Sequence, residues 1–418
     1  MKRFAIFLFL FAFSPFSPLS HSQPQSQPSV KTGIDVLIDQ DFSILRGKRV
    51  GLITNPTGVT SDLRSTADVL AGTKQLRLVA LFGPEHGIRG DALAGQSVDS
   101  YIDSATGVPV YSLYGKITKP TTAMLKGIDV LVYDIQDIGT RSYTFISTMA
   151  RAMEAAAEND IEFVVLDRPN PLTGNRVEGN ILDLKFKSFV GMFPIPYVYG
   201  MTCGELAMLL NGEGWIGGRK KCKLDVVRMQ GWDRTMLWHK TGLQWIPPSP
   251  HIPTAETALF CAATGALGEL DALSVGVGYT MPFQLVGAPW IDAALLAKRM
   301  GALRLPGVRF RPATYIPFYA AMKGKQVNGI QIYIVDPEKA NLVNIQLYLM
   351  QTINELYPSR NIFGLADSIE VTMFDKVMGT DAVRLALAAN LPVEKIISEW
   401  KQETDQFLPI RKKYLLYQ

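Results

Sequence analysis

Leu76–Gly90, LRLVALFGPEHGIRG, is the stretch that decides the fold. Leu76, Leu78, Val79, Leu81 and Phe82 form a short, nearly continuous apolar run, the pattern of a strand buried on both faces. Gly83-Pro84 stops it, because proline has no N–H to give a sheet ladder and glycine tolerates a sharp turn. Glu85, His86, Arg89 and Asp91 follow at once. Ionisable side chains directly beyond a buried strand are costly unless a ligand or a partner uses them.

The same arrangement repeats along the chain. Val50–Asn55, Val110–Leu113, Ile128–Asp134 and Ile161–Leu166 are further apolar strands. Between them, Asp62–Ala71 spaces Leu63, Ala67 and Leu70 for one helical face, and Ser142 reads as the cap of a helix reaching Glu158. Strands alternating with helices predict an α/β fold, a Rossmann-like parallel sheet with helices on both faces. Such sheets bind ligands beyond the carboxyl ends of their strands. Here those ends carry Asn55, Glu85, Asp134 with Gln136, and Asp167 with Arg168.

From about Gly191 the character changes. Phe193–Tyr199 is rich in proline and aromatics, and Thr202 with Glu205 makes a capping box. Trp245–Thr254, WIPPSPHIPT, cannot be regular, since its prolines remove donors and fix φ; it reads as a rigid, exposed or site-lining loop. Beyond it, Glu256–Gly265, Asp292–Leu303 and most of Ala382–Leu416 read as helix and Gly329–Val335 as strand, a smaller α+β domain. The predicted division is a signal peptide over 1–22, a linker over 23–32, the Rossmann-like catalytic domain over 33–253 and the α+β domain over 254–418.

Composition narrows the class. Over 418 residues the formal net charge is only +4 and no Lys/Arg block occurs, so nucleic acid is not an expected partner. Met1-Lys2-Arg3, the apolar Phe4–Phe13 and a Ser/Pro/Gln-rich exit predict a cleaved secretory signal, an exported (periplasmic or secreted) protein and no stable membrane insertion afterwards. An uncleaved anchor is the rival reading, disfavoured because a span needs about 20 apolar residues. Cys203, Cys222 and Cys261 allow at most one disulfide and show no zinc spacing.

Neither a GxGxxG fingerprint, a P-loop, a GxSxG elbow nor an HExxH pair is present, so no cofactor is expected. What remains is carboxylates, amides, arginines and aromatics, an inventory that suits glycoside hydrolysis. Glu85 is the expected acid, with Phe82 and Pro84 beside it. Its partner stays open among Asp134, Asp137, Asp167 and Glu178. Asp134 and Asp167 equally suit turn capping, Arg141 and Arg168 equally suit pairing with them, and Tyr143 equally suits the core. A magnesium or calcium site on Asp134, Asp137 and Asp167 is a further alternative.

FGPEHGIRG (Phe82–Gly90), DIQDIGTRSYTF (Asp134–Phe145), LDRPNPLTG with VEG (Leu166–Gly174, Val177–Gly179), GMTCGELA (Gly200–Ala207) and PPSPHIPT (Pro247–Thr254) resemble the exo-β-N-acetylmuramidase family, formerly a domain of unknown function. The resemblance runs from about Gly33 to the C-terminal RKKYLLY. It implies an active site in the cleft between the two domains and release of terminal N-acetylmuramic acid from peptidoglycan fragments without a nucleotide cofactor. Glu85 falls on the glutamate that the resemblance makes catalytic. Asp134 and Asp167 complete the expected catalytic set, and Asn55, His86, Arg89, Gln136, Asp137, Arg141, Tyr143, Arg168, Asn170, Glu178 and Trp290 the expected sugar-binding set. The chain departs from the family pattern at Ser274–Tyr279, SVGVGY, where Val275 and Val277 replace a Glu and an Arg, and at Tyr199, where His is common. Altered glycoside specificity, or a cell-wall-sugar binding protein that has lost turnover, are the alternatives these departures leave.

Overall fold

The computed structural model describes residues 30–85, 87–90, 100–217 and 220–418. The predicted signal peptide, most of the linker, His86 and Asp91 lie outside the described residues. The first half runs α1 (Gly33–Asp39), β1 (Arg49–Thr54), α2 (Thr66–Gly72), β2 (Arg77–Gly83), β3 (Tyr101–Ile102), β4 (Pro109–Ser112), β5 (Val130–Asp134), α3 (Phe145–Glu158), β6 (Glu162–Leu166), β7 (Glu178–Ile181), β8 (Pro196–Val198), α4 (Cys203–Gly212) and β9 (Lys223–Val227). The second runs α5 (Ala255–Gly268), β10 (Leu285–Ala288), α6 (Ala293–Ala302), β11 (Val308–Tyr315), β12 (Val327–Ile334), α7 (Leu342–Leu356), α8 (Ile362–Leu365), α9 (Ser368–Met378), α10 (Ala382–Ala388) and α11 (Val393–Lys412).

A seven-stranded sheet in the order β3-β4-β2-β1-β5-β6-β9 carries the first half, parallel throughout except for the short β3–β4 pair. Its inner strands are apolar on both faces because helices cover both. Ile34, Leu37 and Leu70 of α1 and α2 pack on one side, and Met149, Ala152 and Leu206 of α3 and α4 on the other. From β1 the chain moves outward through β2 to β4, then returns to place β5 against the other edge of β1. That reversal is the topological switch point of a doubly wound sheet, where the following loops part and leave a crevice. Register sets the crevice walls level, with Ile53 opposite Phe82 and Thr54 opposite Asp134.

Helix α3 begins two residues later than the sequence suggests, with Thr144 rather than Ser142 at its N-cap. The reason is tertiary: Arg141 N–H donates to Tyr197 O at 2.7 Å and Thr140 bridges to Val198, so the backbone there belongs to β8.

In the second half an antiparallel sheet, β10-β12-β11, lies against α6, which packs in turn on α7. The two halves are not sealed from each other. Ile138, Leu172 and Tyr197 share one apolar core with α5 and α7, and the Glu178 carboxylate accepts from Leu342 N (2.7 Å) and Val343 N (3.1 Å), capping α7. After α11 the chain returns to the first half, where Tyr417 donates to Asp167 (2.6 Å) and Leu416 N to Glu205 (2.8 Å). Among the described residues no helix is long and apolar enough to cross a membrane, and the three cysteines are unpaired.

Candidate active site

β2 delivers Glu85. Past Gly83-Pro84 the chain turns back on itself, with Gly87 N donating to Pro84 O at 3.1 Å. Gly87 holds φ +74°, a left-handed conformation that glycine adopts at little cost. Ile88 is then buried as the anchor of the turn, which leaves Glu85 half-buried at the carboxyl edge of the sheet. The Thr144 hydroxyl approaches Glu85 Oε2 at 3.5 Å, and the Tyr114 phenol hydrogen-bonds the same carboxylate. Burial, with the Glu85 bond and charge added, pushes the Tyr114 pKa up to about 12, so Tyr114 stays a donor across the physiological range.

At the switch point itself the polar groups are unusually short of partners. Asn55 Nδ2, Gln136 Oε1, Asp137 Oδ1, Thr140 Oγ1 and the Tyr143 hydroxyl are all buried without a hydrogen bond. Native interiors leave few such atoms, so a group of them on consecutive loops marks a place that water or a ligand completes. Their other atoms are firmly held. Asn55 Oδ1 accepts from Thr57 N (3.0 Å) and Thr57 Oγ1 (2.5 Å), and Gln136 Nε2 donates to Asp137 O (2.8 Å) and Pro169 O (2.7 Å). Gln136 and Asp137 both line a void of about 10 Å³, the size of one water. Ser249, from the proline-rich loop, stands beside the Tyr143 hydroxyl, and Tyr143 senses the charge of Glu85. That loop is pinned in place by Trp245, whose Nε1 donates to Ile252 O at 3.0 Å.

Asp137 Oδ2 accepts from Gly139 N at 2.7 Å and from the Tyr199 hydroxyl. Tyr199 therefore occupies the expected His position as a donor to a carboxylate. Burial nevertheless pushes the Asp137 pKa up to about 6 from 3.8. A raised folded-state pKa favours the native state when the group is protonated. The contribution is complete below pH about 4, the unfolded value, and is lost as pH rises through about 6. Asp137→Asn is expected to flatten this slope, removing about 2–3 kcal/mol of difference in urea-unfolding free energy between pH 4 and pH 7. An unchanged slope would place the titration elsewhere.

Several expected site residues are held in structural bonds. Asp134 is fully buried and holds Arg168 with both oxygens, at 2.5 and 2.9 Å, while Thr66 donates to it at 2.5 Å. Arg168 also donates to Val59 O at 2.7 Å, so the pair braces the loop after β1. Asp167 accepts from Arg168 N, Gly204 N, Thr202 Oγ1 and Tyr417, against which burial raises its pKa to about 6; it anchors α4 and the C-terminal tail. Glu178 pairs with Arg176 at 2.5 Å besides capping α7. Arg141 is 1% exposed and donates to Asn180 O, Ile195 O and Met378 O, lashing the halves together, with burial lowering its pKa to about 10. Asn170 closes a turn through Leu172 N and Met201 O. Arg89 is taken up by Asp68 (2.8 Å) and Asp103 (3.0 Å). Trp290 packs edge-on against Tyr357. The oxygens of Asp134 and Asp167, two members of the metal alternative, accept from protein donors, and among the described residues no group of three or more acidic, His or Cys side chains is placed to hold an ion.

Glu85, Asn55, Gln136, Asp137 and Tyr143 are the expected residues that the structure does bring to one place. Tyr114, Thr144 and Ser249 were not anticipated. Tyr114 follows the strand Val110–Leu113 directly, so the strand-end rule points to it; Thr144 was hidden in a presumed helix. Larger cavities of about 560 and 660 Å³ open along the seam of the halves and share Leu237 and Pro337, but Glu85 lines neither.

A doubly wound sheet that holds a hydroxyl-bound carboxylate beside its switch point is a framework suited to glycoside hydrolysis. Family models described as the N-terminal and C-terminal parts of the exo-beta-N-acetylmuramidase NamZ match residues 50–256 and 260–417. The chain belongs to the exo-β-N-acetylmuramidase family. It is 47% identical over 401 residues to the peptidoglycan beta-N-acetylmuramidase NamZ of Bacillus subtilis (strain 168), covering 96% of this chain and 94% of that protein. It is also similar to crystal structures of two DUF1343 family proteins from Bacteroides fragilis NCTC 9343. One has TM-score 0.90 and 52% identity, covering 94% of this chain and 100% of that one. The other has TM-score 0.76 and 32% identity, covering 93% and 99%.

Proposed function

We propose that this protein is an exo-acting glycoside hydrolase that releases terminal N-acetylmuramic acid from peptidoglycan fragments, with Glu85 as its general acid. The observation that carries the assignment of the acid is the setting of Glu85: half-buried at the strand edge, hydrogen-bonded by Tyr114 and approached by Thr144, next to the switch point where buried polar atoms lack partners. Glycoside cleavage needs a carboxyl group that gives its proton to the leaving oxygen and later recovers one. Tyr114 and Thr144 fix the orientation of that carboxyl, and the Asn55, Thr140 and Tyr143 loops supply amide and hydroxyl groups suited to a sugar. No cofactor takes part in this chemistry. The basic start and apolar Phe4–Phe13 support export to where peptidoglycan fragments are found.

The test is release of 4-nitrophenol from the β-N-acetylmuramide beside the β-N-acetylglucosaminide. Hydrolysis of the muramide at a kcat/KM at least about 100-fold above the glucosaminide is expected, the scale on which a buried polar group rejects a substrate that leaves it unpaired. Equal cleavage of both would overturn the muramic acid specificity. Cleavage of neither, with measurable binding of N-acetylmuramic acid, would make the protein a sugar binder.

A further inference from the structure

We propose that Phe318 and Tyr319, backed by Tyr279, form an aromatic platform at the mouth of the cleft that binds the sugar on the aglycone side of the scissile bond; this rests on the glycosidase reading above. Phe318 is 68% exposed and Tyr319 48% exposed, adjacent to each other on the loop between β11 and β12. Large rings left side by side in water are the exception to burial and mark a contact surface.

The loop is built to keep them there. Phe318 N donates to Gly278 O at 2.7 Å and Gly324 N to Pro317 O at 2.9 Å, closing the segment on itself and onto the opposite loop. Gly278 holds φ +86° with the Tyr319 backbone packed where a Cβ would stand. Ala320 and Met322 hold φ of 60° and 63° without being glycine, a strained backbone that persists only when its surroundings impose it. The Tyr279 ring stacks on Phe318 at 5.9 Å and 24°, and also packs, tilted, against Tyr315 at 5.3 Å. A rigid ring loses little freedom on binding, which is the advantage of a braced platform over a mobile loop.

A chain of contacts runs from the platform to Thr144, whose hydroxyl approaches Glu85 at 3.5 Å. Tyr319 stacks on His251 at 6.0 Å and 23°. His251 lies two residues beyond Ser249, within about 7 Å along an extended chain. Ser249 stands beside Tyr143, which senses Glu85. An exo-acting enzyme encloses one terminal sugar, so the next ring of the glycan emerges at the rim, where these side chains are. Val275 is buried in the core and Val277 packs against it, so the neighbouring loop presents no ion pair there, and the fitting interaction is stacking of a pyranose C–H face on an aromatic face.

The experiment compares the disaccharide N-acetylmuramyl-β-1,4-N-acetylglucosamine with methyl β-N-acetylmuramide, whose aglycone is too small to reach the platform. For Phe318→Ala/Tyr319→Ala the ratio of kcat/KM between disaccharide and methyl glycoside is expected to fall about tenfold, mainly through KM for the disaccharide, and Phe318→Tyr/Tyr319→Phe is expected to restore it. An unchanged ratio, or equal loss on both substrates, overturns the platform while leaving the glycosidase reading intact. If the wild-type protein cleaves neither compound the glycosidase reading falls. Calorimetric titration with chitobiose then decides the platform by itself, equal binding to wild type and the alanine pair overturning it.

Discussion

Glu85→Gln is expected to lower kcat/KM on N-acetylmuramyl-β-1,4-N-acetylglucosamine, whose sugar alkoxide leaves only with a proton, by about 10³-fold, the scale of a lost general acid, while the melting temperature moves by no more than about 2–3 °C. Glutamine keeps the shape and still accepts from Tyr114 and Thr144, so the hydrogen-bonded frame around position 85 persists. What disappears is the transferable proton. The substitution also removes the charge that helps hold the Tyr114 phenol up at about 12, so its spectroscopic titration should move down. Activity lost together with that shift and with a retained melting temperature places the chemistry at Glu85. Activity that survives would sink the assignment and send the search back to Asp137, the other carboxylate at the switch point with an unpartnered oxygen.

The largest effect on stability is expected from Arg168→Met, a loss of about 3–5 kcal/mol in urea unfolding. Methionine removes the guanidinium and leaves Asp134 charged, fully buried and with Thr66 as its remaining side-chain donor. Breaking one side of a buried pair costs much more than the pair's own net worth, because the survivor remains desolvated. Adding Asp134→Leu to Arg168→Met should recover most of the lost stability, since no charge is then stranded. If Arg168→Met instead left stability untouched and raised only KM, Arg168 would be a sugar ligand and its structural assignment would fall.

These contrasts follow from what a strand end can mean. The rule that ligands sit beyond carboxyl ends pointed equally to Glu85, Asp134 and Asp167, which the sequence cannot rank. Asp134 and Asp167 are the residues nearest the sheet, and at that depth a carboxylate survives only if the fold surrounds it with donors, as Arg168, Thr202 and Gly204 do. Glu85 is carried past a Gly-Pro break and a turn, far enough out to be half-buried. The same two or three residues of offset separate a strut from a candidate catalyst.

By itself the sequence determined the class of fold, the strand ends that frame the crevice and the capping box at Thr202 and Glu205, because apolar periodicity and turn residues act locally, while the hydrolase family was legible only through the resemblance of whole motifs. Helix α7 and strand β11 escaped it, the former being apolar round most of its circumference where it crosses a shared core, the latter alternating only weakly. Tertiary structure alone decided which charges neutralise one another, from Arg141 bonding carbonyls on both halves to Tyr417 reaching Asp167 across 250 residues of chain. Pairing at such separations depends on burial and distance, and neither is written in the spacing of residues along the chain.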